Sequence, residues 1–246
     1  MLRPYRWRGD VKRTISFWLD VLAAVLVLVA LYMALVYAPE AANLPTETER
    51  LAQRIFYFHV AFAWTGSLAF LVTAGAGLAY LLRSDMRWDA LAVSSAEIGL
   101  VFLSVVIVTG SLWARPTWNA WWTWDPRLTT VTVAWLLYAA YLMLRNAVEE
   151  PTRRARFAAV YGLVSFLSIP LTFMSIRIWR TIHPVVIGGG GQGAQGGFHL
   201  APKMFQALMV SLLAVTVLYV ALLLHRYTAE LLSLDVEELR ERVIGR

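Results

Sequence analysis

The chain has 246 residues, of which 59% are hydrophobic and only 15% charged. A soluble domain is about half apolar and about one quarter charged, so a bilayer is the main solvent. The net charge of +6 is spread over membrane-flanking loops, with no basic patch interleaved with aromatics, and nucleic acid is not an expected partner. Cys is absent, which removes disulfides, thiolate metal sites, thiol catalysis and a Cys-x-x-Cys-His haem attachment; an iron ligand must come from His or Met.

Six apolar segments approach the roughly 20 residues that cross a hydrocarbon core. The first, 17–38, follows a basic start (Arg3, Arg6, Arg8, Lys12, Arg13). Its apolar run is too long for a cleavable signal peptide, and Pro39 follows the small-residue candidate Ala38, so an uncleaved signal anchor is expected. The second, 55–82, carries His59 about 6 Å below its start at 1.5 Å per residue. It also holds Gly66, Gly75 and Gly77, small residues that let helices approach closely.

The third segment, 91–113, contains Glu97, expected to be a protonated or hydrogen-bonded packing residue near Ser94 and Ser95. The fourth, 129–144, is the shortest. The fifth, 157–176, is interrupted by Pro170, and the sixth is 204–225. His225, at the end of the sixth, is expected to snorkel. The charged tail beyond it, with Glu230, Glu237, Arg240, Glu241 and Arg242, suits a short helix with i,i+3 and i,i+4 pairs.

With the N-terminus in the cytoplasm, 15 of the 22 Lys and Arg residues fall on the inner side and 7 on the outer, as the positive-inside rule favours. The expected fold is an all-α integral membrane protein. It is a single membrane domain over 1–246, a six-transmembrane-helix bundle with both termini inside. The long loops, 113–128 and 177–203, then lie outside, which points to work at the outer face.

Residues 113–128 hold Trp113, Trp118, Trp121, Trp122 and Trp124, five of the chain's 11 tryptophans. Pro116 suits a helix start and Pro126 a helix end, which predicts a short interfacial helix between them. On it Trp118, Trp121, Trp122 and Asp125 share one face, and Trp124 points elsewhere. An aromatic belt accounts for one or two interfacial tryptophans, but not for this cluster beside Asp125 and Arg127. A broad indole shelf next to fixed charge suits a large, flat, apolar ligand with acidic edges, such as haem.

Two of the four histidines, His59 and His183, are expected at the depth of this shelf. Two imidazoles facing each other across a macrocycle make a six-coordinate iron site, although a lone membrane His is often a packing residue. His199 follows the Gly-rich run 188–197, read as a flexible linker, and is a reserve ligand. Arg54, Arg127, Arg177 and Arg180 are candidate propionate partners, each of which could instead anchor at the interface.

The run from Trp113 through Trp118, Trp121, Trp122, Trp124 and Asp125 to Thr129 resembles the tryptophan-rich "WWD" signature of haem-handling proteins in cytochrome c biogenesis. The length, six spans and one His on each side of the signature are similar to the haem exporter protein C (CcmC-type) family over nearly the whole chain. The run 178–183 is similar to that family's second ligand segment. Asn119 stands where Gly is usual and Pro126 where a small residue is common, which bears on the loop's fine geometry.

The resemblance implies non-covalent b-type haem, bis-His ligated by His59 and His183, on the periplasmic face of the bacterial inner membrane. The tryptophans would form its platform. It implies presentation of haem to a membrane-anchored periplasmic haem chaperone. Further implied partners are ABC-type ATPase and permease subunits and a small single-span subunit. The chain would not itself be an enzyme. The rival functions are a membrane haem transporter, which asks for polar residues lining a path, and a b-type cytochrome, which asks for His pairs inside facing helices.

Overall fold

The computed structural model describes residues 9–41, 44, 46–183 and 200–244. Among these residues the chain is built from helices. They are α1 (Gly9–Tyr32), α2 (Glu47–Ala52), α3 (Ile55–Arg83), α4 (Met86–Trp118), α5 (Pro126–Ala147), α6 (Pro151–Phe166), α7 (Ser168–Ile178) and α8 (Pro202–Ile244). A π-helical turn, Met33–Tyr37, extends α1. Six helical stretches are long and apolar enough to cross a membrane, in the order expected, with α6 and α7 together making the fifth. This is an all-α, six-helix membrane protein.

The central pair is α3 and α4; α6 and α8 pack on α3, α1 lies along α8, and α5 packs against α4, α6 and α7. Small residues allow the closest approaches. A Cβ at Gly66 would meet Phe102 Cβ at 3.5 Å, and one at Gly77 would meet Ala159 Cα at 3.3 Å. Gly75 faces open space, so the expected packing role holds for two of these three glycines. The α3–α4 turn is sharp because Ser84 takes a left-handed conformation (φ 53°) and Asp85 caps α4 by accepting from Arg87 N at 2.9 Å.

Other joints have local causes. At α2, Thr46 and Glu49 form a capping box. Arg54 Nη1 donates to the carbonyls of Ala34 (3.1 Å) and Leu35 (2.6 Å), at the π-helical end of α1. The fifth span breaks at Leu167, because Pro170 has no N–H for the Phe166 carbonyl. Charged partners cross between helices at the end where α4 begins. Arg145 Nη1 and Nη2 donate to Asp89 at 2.5 and 2.9 Å, with both side chains buried.

Three expectations need correction. Glu97 is hydrogen-bonded, one of its two expected readings, but its partner is Arg226, whose Nε (2.5 Å) and Nη2 (3.0 Å) donate to it, and not Ser94 or Ser95. Ser95 instead meets the Tyr219 hydroxyl at 2.7 Å. His225 Nε2 lies 2.9 Å from Asp20 on α1, so it ties two helices together rather than only snorkelling. The charged tail is helical but continuous with the sixth span, and carries the i,i+4 pair Glu238–Arg242 and the i,i+3 pair Glu237–Arg240.

Candidate functional site

The largest departure from expectation lies in the tryptophan segment. No separate interfacial helix forms: α4 runs through Pro116 to Trp118, and residues 119–125 are non-helical. A proline in a last turn removes only the bond to the carbonyl four residues back and does not have to start a helix. The helix ends where Asn119 turns left-handed (φ 52°, ψ 24°). Asn tolerates that region, and Arg115 Nη1 fastens the turn by donating to the Asn119 carbonyl (2.8 Å) and Oδ1 (2.7 Å). Pro126 opens α5 rather than closing a helix.

The segment therefore presents its tryptophans on different sides. Trp113, Trp118 and Trp122 line a cavity of about 420 Å³ between α3, α4, α5 and α7. Trp121 and Trp124 are 58% and 75% exposed and are not among its lining residues. Trp121 instead lies under the Arg115 guanidinium at 5.9 Å. The shared face of Trp118, Trp121, Trp122 and Asp125 thus does not exist, whereas Trp124 does point away as expected.

The same cavity is lined by His59, His183, Arg127 and Arg177. Its walls are mostly apolar (Val60, Ile107, Val131, Ile169, Phe173) and reach down to Leu103, about 15 Å along α4 from Trp113 at 1.5 Å per residue. His59, on α3, is 9% exposed; its Nδ1 is 3.0 Å from Thr109 Oγ1 on α4, and Trp113 meets its ring edge-on at 6.1 Å. Trp118 meets the His183 ring edge-on at 6.5 Å. Arg127 Nη1 donates to the Thr172 carbonyl (3.2 Å), and its guanidinium sits 5.2 Å from the Phe173 ring. Arg54, turned to α1, and Arg180 do not line the cavity. His199 and residues 188–197 lie outside the described residues.

Asp125 does not face the ligand space as part of the shelf. It is 9% exposed and caps α5, its Oδ1 accepting from Arg127 N at 2.9 Å. The same carboxylate receives Thr181 Oγ1 (2.7 Å) and Ile182 N (2.9 Å), and His183 N donates back to Thr181 Oγ1 (3.0 Å). One buried carboxylate thereby fastens the segment carrying His183 to the end of the tryptophan run. Asp125 was expected beside the ligand; its link to the His183 segment, and the contacts of Thr109 and Gly110 with His59, were not expected. A signal existed for Thr109 and Gly110: they lie within one turn of Trp113, at the depth of His59.

The donor set fits an iron macrocycle. A porphyrin supplies four nitrogens of its own and asks for two axial ligands, apolar walls and cations for its carboxylates; two imidazoles, apolar and indole side chains and two guanidiniums line this cavity. The volume is in the range of cofactor sites, roughly 300–1,000 Å³. Among the described residues no group of three or more His, Asp or Glu could hold a bare metal ion.

Fold and site together define a multi-pass membrane protein with an aromatic, imidazole-bearing cavity at one end of its bundle. Residues 4–242 match the family model described as CcmC, heme exporter protein C, and the chain belongs to that family. Its members are membrane components of haem handling in cytochrome c maturation. A heme exporter protein C of Bradyrhizobium diazoefficiens is 32% identical over 242 residues, 98% of this chain and 87% of that one. One from Rhodobacter capsulatus is 30% identical over 190 residues, 77% of each chain. One from Escherichia coli is 35% identical over 134 residues, 53% of each chain.

Proposed function

We propose that this chain binds b-type haem non-covalently in the tryptophan-lined cavity and presents it for cytochrome c assembly. His59 and His183 are the axial ligands, Trp113, Trp118 and Trp122 the platform, and Arg127 and Arg177 the propionate partners. The observation that carries this reading is the convergence of two histidines 124 positions apart in sequence on one apolar cavity with indole walls and two guanidiniums. That end of the bundle faces outward, to the periplasm across a bacterial inner membrane, as the distribution of Lys and Arg favours.

A cavity at the membrane surface can release an apolar ligand sideways, which suits transfer to a membrane-anchored periplasmic haem chaperone. The exposed Trp121 and Trp124 are available at the rim for that partner. ABC-type ATPase and permease subunits and a small single-span subunit complete the assembly, and ATP hydrolysis belongs to them. Against the rival transporter, the deeper lining is Ser67, Leu103, Ala134 and Ile169, and the one hydroxyl among them is held by the Ala63 carbonyl at 2.7 Å, which makes no continuous polar path. Against a b-type cytochrome, His183 lies beyond the end of α7 and not within a span.

The test is purification with ample haem, then mixing with the chaperone. The wild type should carry low-spin haem and lose it to the chaperone. A haem-free wild type, or haem that stays when the chaperone is added, would overturn the proposal.

A further inference from the structure

His59 has two ring nitrogens, and a neutral imidazole can give iron only the one without a proton. The protein around the ring decides which that is. Nδ1 lies 3.0 Å from Thr109 Oγ1, and the Thr109 hydroxyl itself lies 2.6 Å from the Val105 carbonyl and 3.3 Å from that of Val106.

A hydroxyl has one hydrogen, and a carbonyl can only accept. Two oxygens 2.6 Å apart with no hydrogen between them repel, so the Thr109 hydrogen lies toward Val105. The hydroxyl can then meet Nδ1 only as an acceptor, and Nδ1 must carry the proton.

The rest of the pocket holds the ring in that pose. A Cβ at Gly110 would come within 3.0 Å of His59 Cε1, so glycine there lets α4 lie flat against the imidazole. Trp113 closes on it edge-on. The ring also hydrogen-bonds the Val106 backbone carbonyl, on the same helix as Thr109, and His59 lines the cavity.

We propose that Thr109 is a positioning residue that fixes His59 as the Nδ1–H tautomer and so presents Nε2 to the haem iron. This rests on the reading of His59 as an axial ligand. It adds a residue on a second helix that neither lines the cavity nor belongs to the tryptophan segment. Outer partners of metal-bound imidazoles set ring orientation and raise ligand basicity, and here α4 would do so for a ligand carried by α3.

The test uses the full chain in detergent, loaded with haem, as wild type, Thr109→Val and Thr109→Ser. Valine keeps the shape and removes the hydroxyl; serine keeps the hydroxyl. Haem loss to excess apomyoglobin should be about 10–100-fold faster in Thr109→Val, with part of its low-spin absorption converted to high-spin, and near wild type in Thr109→Ser. Wild-type retention and spectrum in Thr109→Val would overturn the proposal, as would a serine variant as defective as the valine one, since methyl packing would then be the cause.

Nitrogen-15 NMR of His59 in the haem-free wild type decides the tautomer without any variant: protonated Nδ1 is expected, and protonated Nε2 would overturn the proposal. His59→Ala checks the underlying reading separately. If it binds haem as the wild type does, His59 is not a ligand, whatever the Thr109 variants show.

Discussion

At the end of the bundle where α4 begins, acid meets base across helices: Asp89 with Arg145, Glu97 with Arg226, and Asp20 with His225. At the tryptophan end the arginines are satisfied differently. Arg54, Arg115 and Arg127 donate to backbone carbonyls of Ala34, Leu35, Asn119 and Thr172. Asp125 there takes a hydroxyl and two backbone N–H groups. A carbonyl orients a guanidinium without cancelling its charge, so Arg127, the one of these three that lines the cavity, is held in place by the Thr172 carbonyl with its charge available to an anionic ligand. At the other end the Asp89–Arg145 and Glu97–Arg226 ion pairs hold helices together.

Breaking the buried pair at the first end should have the largest effect on stability. Asp89→Ala strands the Arg145 charge and should cost about 3–5 kcal/mol, the usual range for removing one partner of a buried pair. Thermal or denaturant unfolding would measure this, and the fraction that stays folded should bind haem normally. A haem defect in that folded fraction would mean that the two ends are coupled.

Asp125→Ala should reverse this pattern. Freed of its hold on Thr181 and Ile182, the His183 segment loses its position, and haem affinity should fall about 10–100-fold by analogy with other outer-shell partners. The lost cap on α5 should cost only about 1 kcal/mol. Haem titration beside an unfolding curve separates the two effects, and unchanged affinity would show that the segment is held by other contacts.

Smaller effects should follow within the cavity. Trp118→Ala and Trp122→Ala should weaken haem retention while insertion and expression stay near normal. Equal haem content would remove the platform role. Trp124→Ala, on an exposed ring, should leave retention unchanged and slow transfer to the chaperone. Arg127→Ala should lower affinity or slow transfer modestly, because Arg177 remains. Unchanged behaviour would leave the propionates to Arg177. Arg54→Ala should loosen the end of α1 with no change in bound haem, and haem loss there would restore Arg54 as a propionate partner.

Much of the fold was legible because hydropathy fixes where a chain can cross a bilayer: all six spans fall where the apolar runs lie. The site was legible in its chemistry and less so in its shape. His59, His183 and the tryptophans were readable as residue types at a common depth. The form of 113–128 was not, because Pro116 fits a helix's first turn or its last, and the choice depends on whether Arg115 can reach Asn119. Partners far apart in sequence were also hidden. Nothing near Glu97 announces Arg226, and a threonine in an apolar run such as Thr109 gains meaning only when a histidine from the neighbouring helix lies against it.

The central claim is that one haem iron is held from two directions, by α3 and by the segment after α7. Near-infrared magnetic circular dichroism of the haem-loaded protein, as wild type, His59→Ala and His183→Ala, tests this most directly. The account predicts a bis-imidazole signature in the wild type that is lost in each single variant. A bis-imidazole signature that survives in either variant would contradict it.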